Sequence, residues 1–504
     1  MTDNANLYAR LHASFTTHAQ RMALETPSGR KYTYADVDRE AARYAYFLHA
    51  QGLQPGDRVA VQVEKSPESL FLYLGCLRAG FVYLPLNTAY RPAELDYFIG
   101  DAEPALMVTS STAHADLAGL MRQKKLSTRL FTLDADGQGT LTAALGSASA
   151  DIACMGPDEL AVIIYTSGTT GRSKGAMLTH RNLTSNASAL VESWAFDSAD
   201  VLLHTLPIFH VHGLFVANHC ALLSGAKMLW HARFDARAAI ADLARASVMM
   251  GVPTFYTRLL AEDSFTRASC SAVRLFISGS APLLAETFRS FRDRTGHAIL
   301  ERYGMSETGM ITSNPLHGER RPGTVGFPLP GVAVRVTDTD DRLLASGEPG
   351  GIQVRGDNVF TGYWRQPEKT REDFAPDGWF RTGDIGVFDR DGYLSIVGRA
   401  KDLIITGGYN VYPKEIELVI DSIPGVLESA VVGIPHPDFG EAVTAVVVRG
   451  GGIAAPSESD VITHLKSQLA GYKVPKRVCF VDALPRNTMG KVQKNLLRDQ
   501  LTRQ

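Results

Sequence analysis

The sequence has no Cys-x-x-Cys pair, no uninterrupted apolar run of about 18 residues and no marked excess of charge, and each absence removes a class of function. Its five cysteines (Cys76, Cys154, Cys220, Cys270 and Cys479) are scattered and odd in number, which argues against a disulfide framework or a zinc site and fits a reducing cytoplasm. A net charge of -2 gives no electrostatic case for nucleic acid or an anionic membrane. The stretch MTDNANLYARLHASF lacks the apolar centre of an export signal, so a cytoplasmic chain with no membrane span is expected. What remains is ordinary globular composition, 45% hydrophobic and 21% charged, and 504 residues exceed what one core usually serves. Two or more domains and small-molecule partners are expected.

Short apolar runs alternate with helical patterns. RVAVQVE, ALMVTS, ELAVIIYT, AKMLWH, SVMMGVP and VRLFISGS read as strands, next to amphipathic helices such as PESLFLYLGCLRAG. This order predicts an α/β fold, a large N-terminal domain of mostly parallel sheets covered by helices. After about residue 320 the alternation shortens and Gly/Asp turns multiply, as in GVAVRVTDTDDRLLASGEPGGIQVRG, which predicts a small antiparallel β subdomain. A small α+β C-terminal domain follows. The expected division is 1–398 for the large domain, 399–401 for a hinge and 402–504 for the small domain.

YTSGTTGRSKG, Tyr165 to Gly175, lies between a predicted strand and AMLTHRNLTSNASALVESW, which has helical spacing. Glycines, hydroxyls and Lys174 make such a loop suited to polyphosphate. It is not a Walker loop, because the glycine after Gly168 arrives early and Lys174 is followed by Gly175 rather than Ser or Thr. A plain Gly/Ser/Thr turn is the competing reading, and the loop alone does not decide between them.

Four more stretches follow in order: ERYGMSETG (Glu301 to Gly309), FRTGD (Phe380 to Asp384), GRAKDLIITGGYNVYPKEIE (Gly398 to Glu417) and LPRNTMGKVQK (Leu484 to Lys494). With YTSGTTGRSKG they resemble the ordered motif set of the acyl-CoA synthetase, or ANL adenylate-forming, superfamily, over nearly the whole chain. The resemblance implies ATP, Mg²⁺ and coenzyme A, an acyl-AMP formed first and a thioester second. It also implies that Lys491, Thr166, Glu307 and His210 are catalytic candidates. Thr166, Ser167, Gly168, Thr169, Thr170, Gly171 and Lys174 would grip the departing phosphates, and Glu307 with Thr166 would serve the metal. Ser278, Gly279, Ser280, Tyr303 and Gly304 would hold adenine, and Asp384 with Arg399 the ribose. By the same resemblance Lys491 enters from the small domain to bridge carboxylate and α-phosphate, Lys401 is the pivot, and Gly407, Gly408 and Tyr409 line the pantetheine tunnel. Because one lysine would carry that step, acetylation that removes its charge is expected to act as an off switch, with a lysine acetyltransferase and deacetylase acting on Lys491.

For the acid, HVHG, PTFYTR and RYGMSETGM look most like the malonyl-CoA synthetase subgroup, which activates malonate and methylmalonate. His210, His212, Arg258 and Arg289 put polar or cationic groups on candidate walls, with Ser280, Gly304 and Met305 beside them. A buried Arg wants a carboxylate, which a second carboxylate on the substrate supplies. The competing reading pairs Arg258 with Glu262 one helical turn on. A ligase for another short-chain or aromatic acid, an amino-acid-activating domain and a nonenzymatic nucleotide binder stay open at this stage.

Overall fold

The structure, a computed structural model, describes residues 4–166, 173–406, 409–437, 439–450, 456–487 and 490–502. It divides into two compact units, the first made of Met1–Pro322, Gly326–Ala333 and Val354–Phe380, the second of Gly323–Val325, Val334–Gln353 and Arg381–Gln504.

All six expected strands form, and they populate two sheets of the first unit. One is seven-stranded, in the order Gly362–Tyr363, Lys174–Thr179, Leu160–Thr166, Val82–Pro85, Arg58–Gln62, Leu106–Thr109 and Arg129–Thr132. Its last five strands run parallel, in registers such as Val59↔Tyr83 and Val59↔Leu106. The other is nine-stranded, in the order Phe327–Pro328, Gly309–Ser313, Leu300–Met305, Leu275–Ser278, Val248–Gly251, Val201–His204, Lys227–Trp230, Met22–Glu25 and Lys31–Thr33. It is parallel at its centre and antiparallel at both edges. Val/Ile/Leu/Met runs without polar alternation suit strands covered on both faces.

Two local expectations change. Helical spacing in AMLTHRNLTSNASALVESW holds only from His180, because Lys174–Thr179 pairs antiparallel with Leu160–Thr166 before the chain turns. Thr179 then caps helix His180–Ser193, its hydroxyl accepting from Asn182 N while Asn182 reaches back to Thr179 N. The segment PESLFLYLGCLRAG does form a helix, Pro67–Ala79, with a Ser66/Ser69 capping box and left-handed Gly80 at its end. It is not amphipathic, however: nearly every residue is buried, Arg78 included. Arg78 meets Asp38 at 2.9 Å, which explains how a charge is tolerated there.

Helices Pro253–Leu260 and Ala285–Thr295 cover the nine-stranded sheet. The first buries Tyr256 and Leu259, the second Phe288 and Phe291, so apolar residues fix which side of each helix faces inward. Tyr256 anchors its helix further by donating to the Ile277 carbonyl at 2.6 Å.

A four-stranded sheet in the order Val332–Thr337, Gly350–Gly356, Phe380–Phe388 and Leu394–Arg399, the last two antiparallel, lies largely in the second unit. Its five-stranded sheet is built from Tyr409–Val411, Ile404–Thr406, Gly440–Arg449, Val426–His436 and Arg477–Val481. Alternate residues of the long strands serve two cores. Val431, Val443 and Val447 pack with Ile416, Ile420 and Leu465 on one face, while Val432, Val446 and Val448 meet Leu484 and Leu497 on the other.

Candidate active site

The Gly/Ser/Thr loop starts where strand Leu160–Thr166 ends. Thr166 and Lys174 are register partners across its base. Ser167, Gly168, Thr169, Thr170 and Gly171 lie outside the described residues. At that base the Thr166 hydroxyl donates to Glu307 Oε1 at 3.3 Å, and the Tyr363 hydroxyl donates to the same oxygen at 3.3 Å. Glu307 is buried, and burial raises its carboxyl above the ordinary range against the pull of Lys174, Tyr363 and Thr166. Lys174 is buried too. Its Nζ lies 3.6 Å from Asp373 and 4.3 Å over the Tyr363 ring.

A second cluster forms along strands Leu275–Ser278 and Leu300–Met305, which pair as Ser278↔Glu301. Arg302 is fully enclosed. Its Nε and Nη2 have no hydrogen-bond partner, and burial brings its pKa down only to about 10, so the guanidinium stays charged at neutral pH. Gly279 makes room for it: a Cβ there would sit 2.4 Å from Arg302 Cζ. The next residue, Ser280, takes left-handed backbone (φ 71°), a strained conformation outside glycine. Glu301 holds this turn by accepting Leu283 N–H at 2.9 Å.

Ser280 Oγ lies 3.2 Å from His212 Nδ1. His212 opens a π-helical turn, His212–Ala217, a rare conformation common at functional sites. Burial first, then Arg302, His210 and His204, hold its pKa well below the usual range, so the ring is neutral. His212 Nε2 and Ser278 Oγ are buried without partners, as are the two Arg302 nitrogens. Orphaned buried polar atoms are costly, and four around one short turn mark a slot built for a polar, anionic ligand. His210 is half-buried, and His212 N–H reaches its Nδ1 at 3.4 Å. Tyr303, Gly304 and Met305 are half-buried on the strand from Arg302 toward Glu307.

Arg258 and Arg289 are not in this cluster. Both are exposed, because Tyr256, Leu259, Phe288 and Phe291 take the inward sides of their helices. Glu262, the alternative partner considered for Arg258, meets Arg237 instead at 3.0 Å. The expectation of a buried Arg is therefore moved to Arg302, which the motif reading passed over inside ERYGMSETG. A signal was present: a charged Glu-Arg pair after AIL, in a run that continues a covered sheet, is a placement that demands a partner.

In the second unit Asp384 is buried and pairs with Arg399 Nε at 3.0 Å across the Asp384↔Arg399 register. Lys401 sits in the short turn Ala400–Asp402, and Asp402 meets Arg498 at 2.7 Å. Gly407 and Gly408 lie outside the described residues. Tyr409 is exposed and stacks on Tyr472 with centroids 4.6 Å apart. Lys491 is exposed, on a loop closed by Lys491 N–H to Asn487 Oδ1 and Asn487 N–H to Lys491 O, each at 2.9 Å. Among the described residues no group of three or more His, Cys, Asp or Glu is placed to hold a metal.

Comparison with known proteins adds family matches, curated relatives and a solved structure. The AMP-binding enzyme profile matches residues 11–364, and the AMP-binding enzyme C-terminal domain matches residues 415–491. A feruloyl-CoA synthase from Amycolatopsis is 36% identical over 93% of this chain and 94% of its own length. A mitochondrial malonate–CoA ligase from Mus musculus is 36% identical over 95% of this chain and 88% of its own. The crystal structure of ATP-bound MatB from Rhodopseudomonas palustris is 55% identical, covers 99% of both chains and superposes with a TM-score of 0.96.

Burial makes ionised Glu307 unfavourable in the folded apoprotein but not in the unfolded chain, so its charge costs stability as pH rises from the ordinary Glu range through its raised folded value. Glu307→Gln, which keeps an oxygen for Thr166 and Tyr363, should melt higher than wild type at pH 7 in the absence of nucleotide. The gap should close below about pH 4. Equal melting temperatures at both pH values would show that Glu307 carries no such penalty.

Proposed function

The chain belongs to the AMP-binding enzyme family of adenylate-forming acid–CoA ligases, and from that premise we propose that Arg302 selects malonate as the acid, with methylmalonate as an additional substrate. The enzyme activates malonate with ATP, releases pyrophosphate and passes the acyl group to coenzyme A, leaving AMP. One observation supports this choice of acid above the others: a charged, enclosed guanidinium with two unpaired nitrogens beside Ser280 and His212. An aromatic or alkyl acid would leave that cation uncompensated, whereas a second carboxylate accepts its hydrogen bonds.

The chemistry follows from leaving groups. A free carboxylate does not acylate a thiol at neutral pH, because oxide would have to leave; joining it to AMP creates a mixed anhydride. In the first half-reaction the reacting carboxylate attacks the α-phosphorus, and the bond to the β-phosphate breaks with its electron pair on pyrophosphate. In the second, the coenzyme A sulfur attacks the acyl carbon, the bond to AMP breaks and the thiol proton is lost to solvent. Both depend on positioning and charge neutralisation.

Arg302, with Ser280 and His212, holds the distal carboxylate and so aims the other. Thr166, Lys174 and the motif residues 167–171 hold the departing phosphates. Glu307 and Thr166 offer hard oxygen ligands suited to Mg²⁺, which when bound with the nucleotide neutralises phosphate charge. Tyr303 and the Ser278–Ser280 turn take adenine, and Asp384 with Arg399 takes the ribose hydroxyls. Lys491 bridges the two anionic reactants in the first step, so acetylation, which removes its charge, would switch that step off. Rotation about Lys401 then exchanges the Lys491 loop for the segment of Gly407, Gly408 and Tyr409, which lines the thiol's approach. The ion pairs Arg399–Asp384 and Asp402–Arg498 bracket that pivot and support a joint confined to the turn between them.

Two experiments test this reading. Arg302→Met should lose roughly a hundredfold or more in kcat/KM for malonate, since one partner of a buried charge pair is gone. Arg258→Ala should change it by less than about twofold, as exposed charges usually do. If malonate-dependent pyrophosphate release survives in Arg302→Met, or a wild-type acid panel prefers aromatic acids, Arg302 is not the selector. Lys491→Ala should abolish pyrophosphate release yet still form thioester from supplied malonyl-AMP and coenzyme A; equal loss in both assays would contradict a role confined to the first step.

A further inference from the structure

Lys65 is a buried lysine near this cluster, its amine held well below the usual lysine pKa by burial, and no carboxylate pairs with it among the described residues. It lies between strand Arg58–Gln62 and Ser66, the cap of helix Pro67–Ala79, and is 5% exposed. Its Nζ is 2.9 Å from His204 Nδ1 and 2.8 Å from His204 O, and it sits 4.2 Å over the Trp230 ring. On the far side of the same imidazole, His204 Nε2 is 3.1 Å from the Gly213 carbonyl. A carbonyl only accepts, so Nε2 carries the proton and Nδ1 must accept from Lys65. Burial, followed by the Lys65 charge, holds His204 well below its usual pKa, in keeping with a neutral ring.

Gly213 is the residue after His212 in the π-helical turn. The turn has little slack: a Cβ at Gly213 would lie 2.0 Å from the Pro207 carbonyl oxygen. One polar chain therefore runs from Lys65 through His204 to Gly213, and the adjoining His212 reaches Ser280 at 3.2 Å. We infer that Lys65 is a positioning residue for acid specificity, fixing through His204 the turn that presents His212 beside Arg302. This rests on malonate being the acid. Lys65 never touches substrate; it holds one ring tautomer and one carbonyl in place, and a hydrophobic side chain of equal length cannot.

The test compares wild type, Lys65→Met, His204→Phe and His204→Gln as full-length enzymes, with pyrophosphate release measured against malonate, propionate and ATP. His204→Gln keeps an acceptor for Lys65 and a donor for Gly213, whereas His204→Phe keeps neither. Lys65→Met and His204→Phe should each raise KM for malonate about tenfold and lower the malonate-to-propionate ratio of kcat/KM by a similar factor, since small displacements at an anchored ligand are costly. KM for ATP and kcat should stay within about twofold, and His204→Gln should recover most of the malonate KM, because chain and turn are then retained. If Lys65→Met does not fold, the contrast between His204→Phe and His204→Gln decides. Unchanged malonate KM in Lys65→Met and His204→Phe, or malonate and ATP constants rising together, overturns the inference while wild-type turnover leaves the malonate reading intact. A wild type inactive with malonate removes both.

Discussion

An enclosed guanidinium with two unpaired nitrogens is the constraint around which the turn from Ser278 to Leu283 is arranged. Arg302 keeps its charge at neutral pH and leaves Nε and Nη2 unpaired. Desolvating an ion costs several kcal/mol in a folded protein, so the neighbouring residues must hold a group that favours leaving. They do so by local strain and close fit: a missing side chain at Gly279, left-handed backbone at Ser280, and Glu301 pinning Leu283. Stability is given up at one turn and recovered in the apolar packing of Tyr256, Phe276 and Phe291 beneath it. An anionic ligand at this turn would offset that cost, and a neutral one would not.

The same strand joins this slot to the phosphate end. Leu300–Met305 carries Arg302 and leads to Glu307, whose carboxylate collects the hydroxyls of Thr166 and Tyr363. Two opposite solutions to burial sit five residues apart. Arg302 stays ionised despite its burial, whereas burial pushes the Glu307 carboxyl above its ordinary range. Arg302 lies on the nine-stranded sheet and Thr166, Lys174 and Tyr363 on the seven-stranded one, and Glu307 links the two sheets through the hydroxyls of Thr166 and Tyr363.

Much of this was legible in the sequence. The apolar runs gave the strands their places because parallel strands covered on both faces need little more than Val, Ile, Leu and Met. The ordered motifs identified the phosphate loop, Glu307, Asp384 and Lys491 as positions of interest. The choice of arginine was not legible by the same route. Arg258 and Arg289 occur in helical patterns, and a helix always has an outward side on which a guanidinium costs nothing. Arg302 occurs where strands have no outward side, which is the stronger indication of a buried charge. Strand Lys174–Thr179 was likewise hidden, because its pairing with Leu160–Thr166 depends on a long-range contact that the helical spacing of the following residues obscures.

The two lysines proposed to serve this chemistry differ in burial, and the difference suits their proposed roles. Lys65 already spends its hydrogen bonds on His204 and lies against Trp230, so it can organise a wall but cannot travel. The first half-reaction brings together a carboxylate and a triphosphate, both anionic, and needs a cation during that step alone. The second needs the same space for a thiol. A permanently seated cation would serve the first step and obstruct the next. Lys491 has the complementary properties: it is exposed, its loop is closed by backbone contacts to Asn487, and it stands in the second unit, apart in sequence from the strands that hold the acid. If Lys491 acts in the first step as proposed, an exposed loop remote in sequence from Arg302 suits a group that is needed for that step alone.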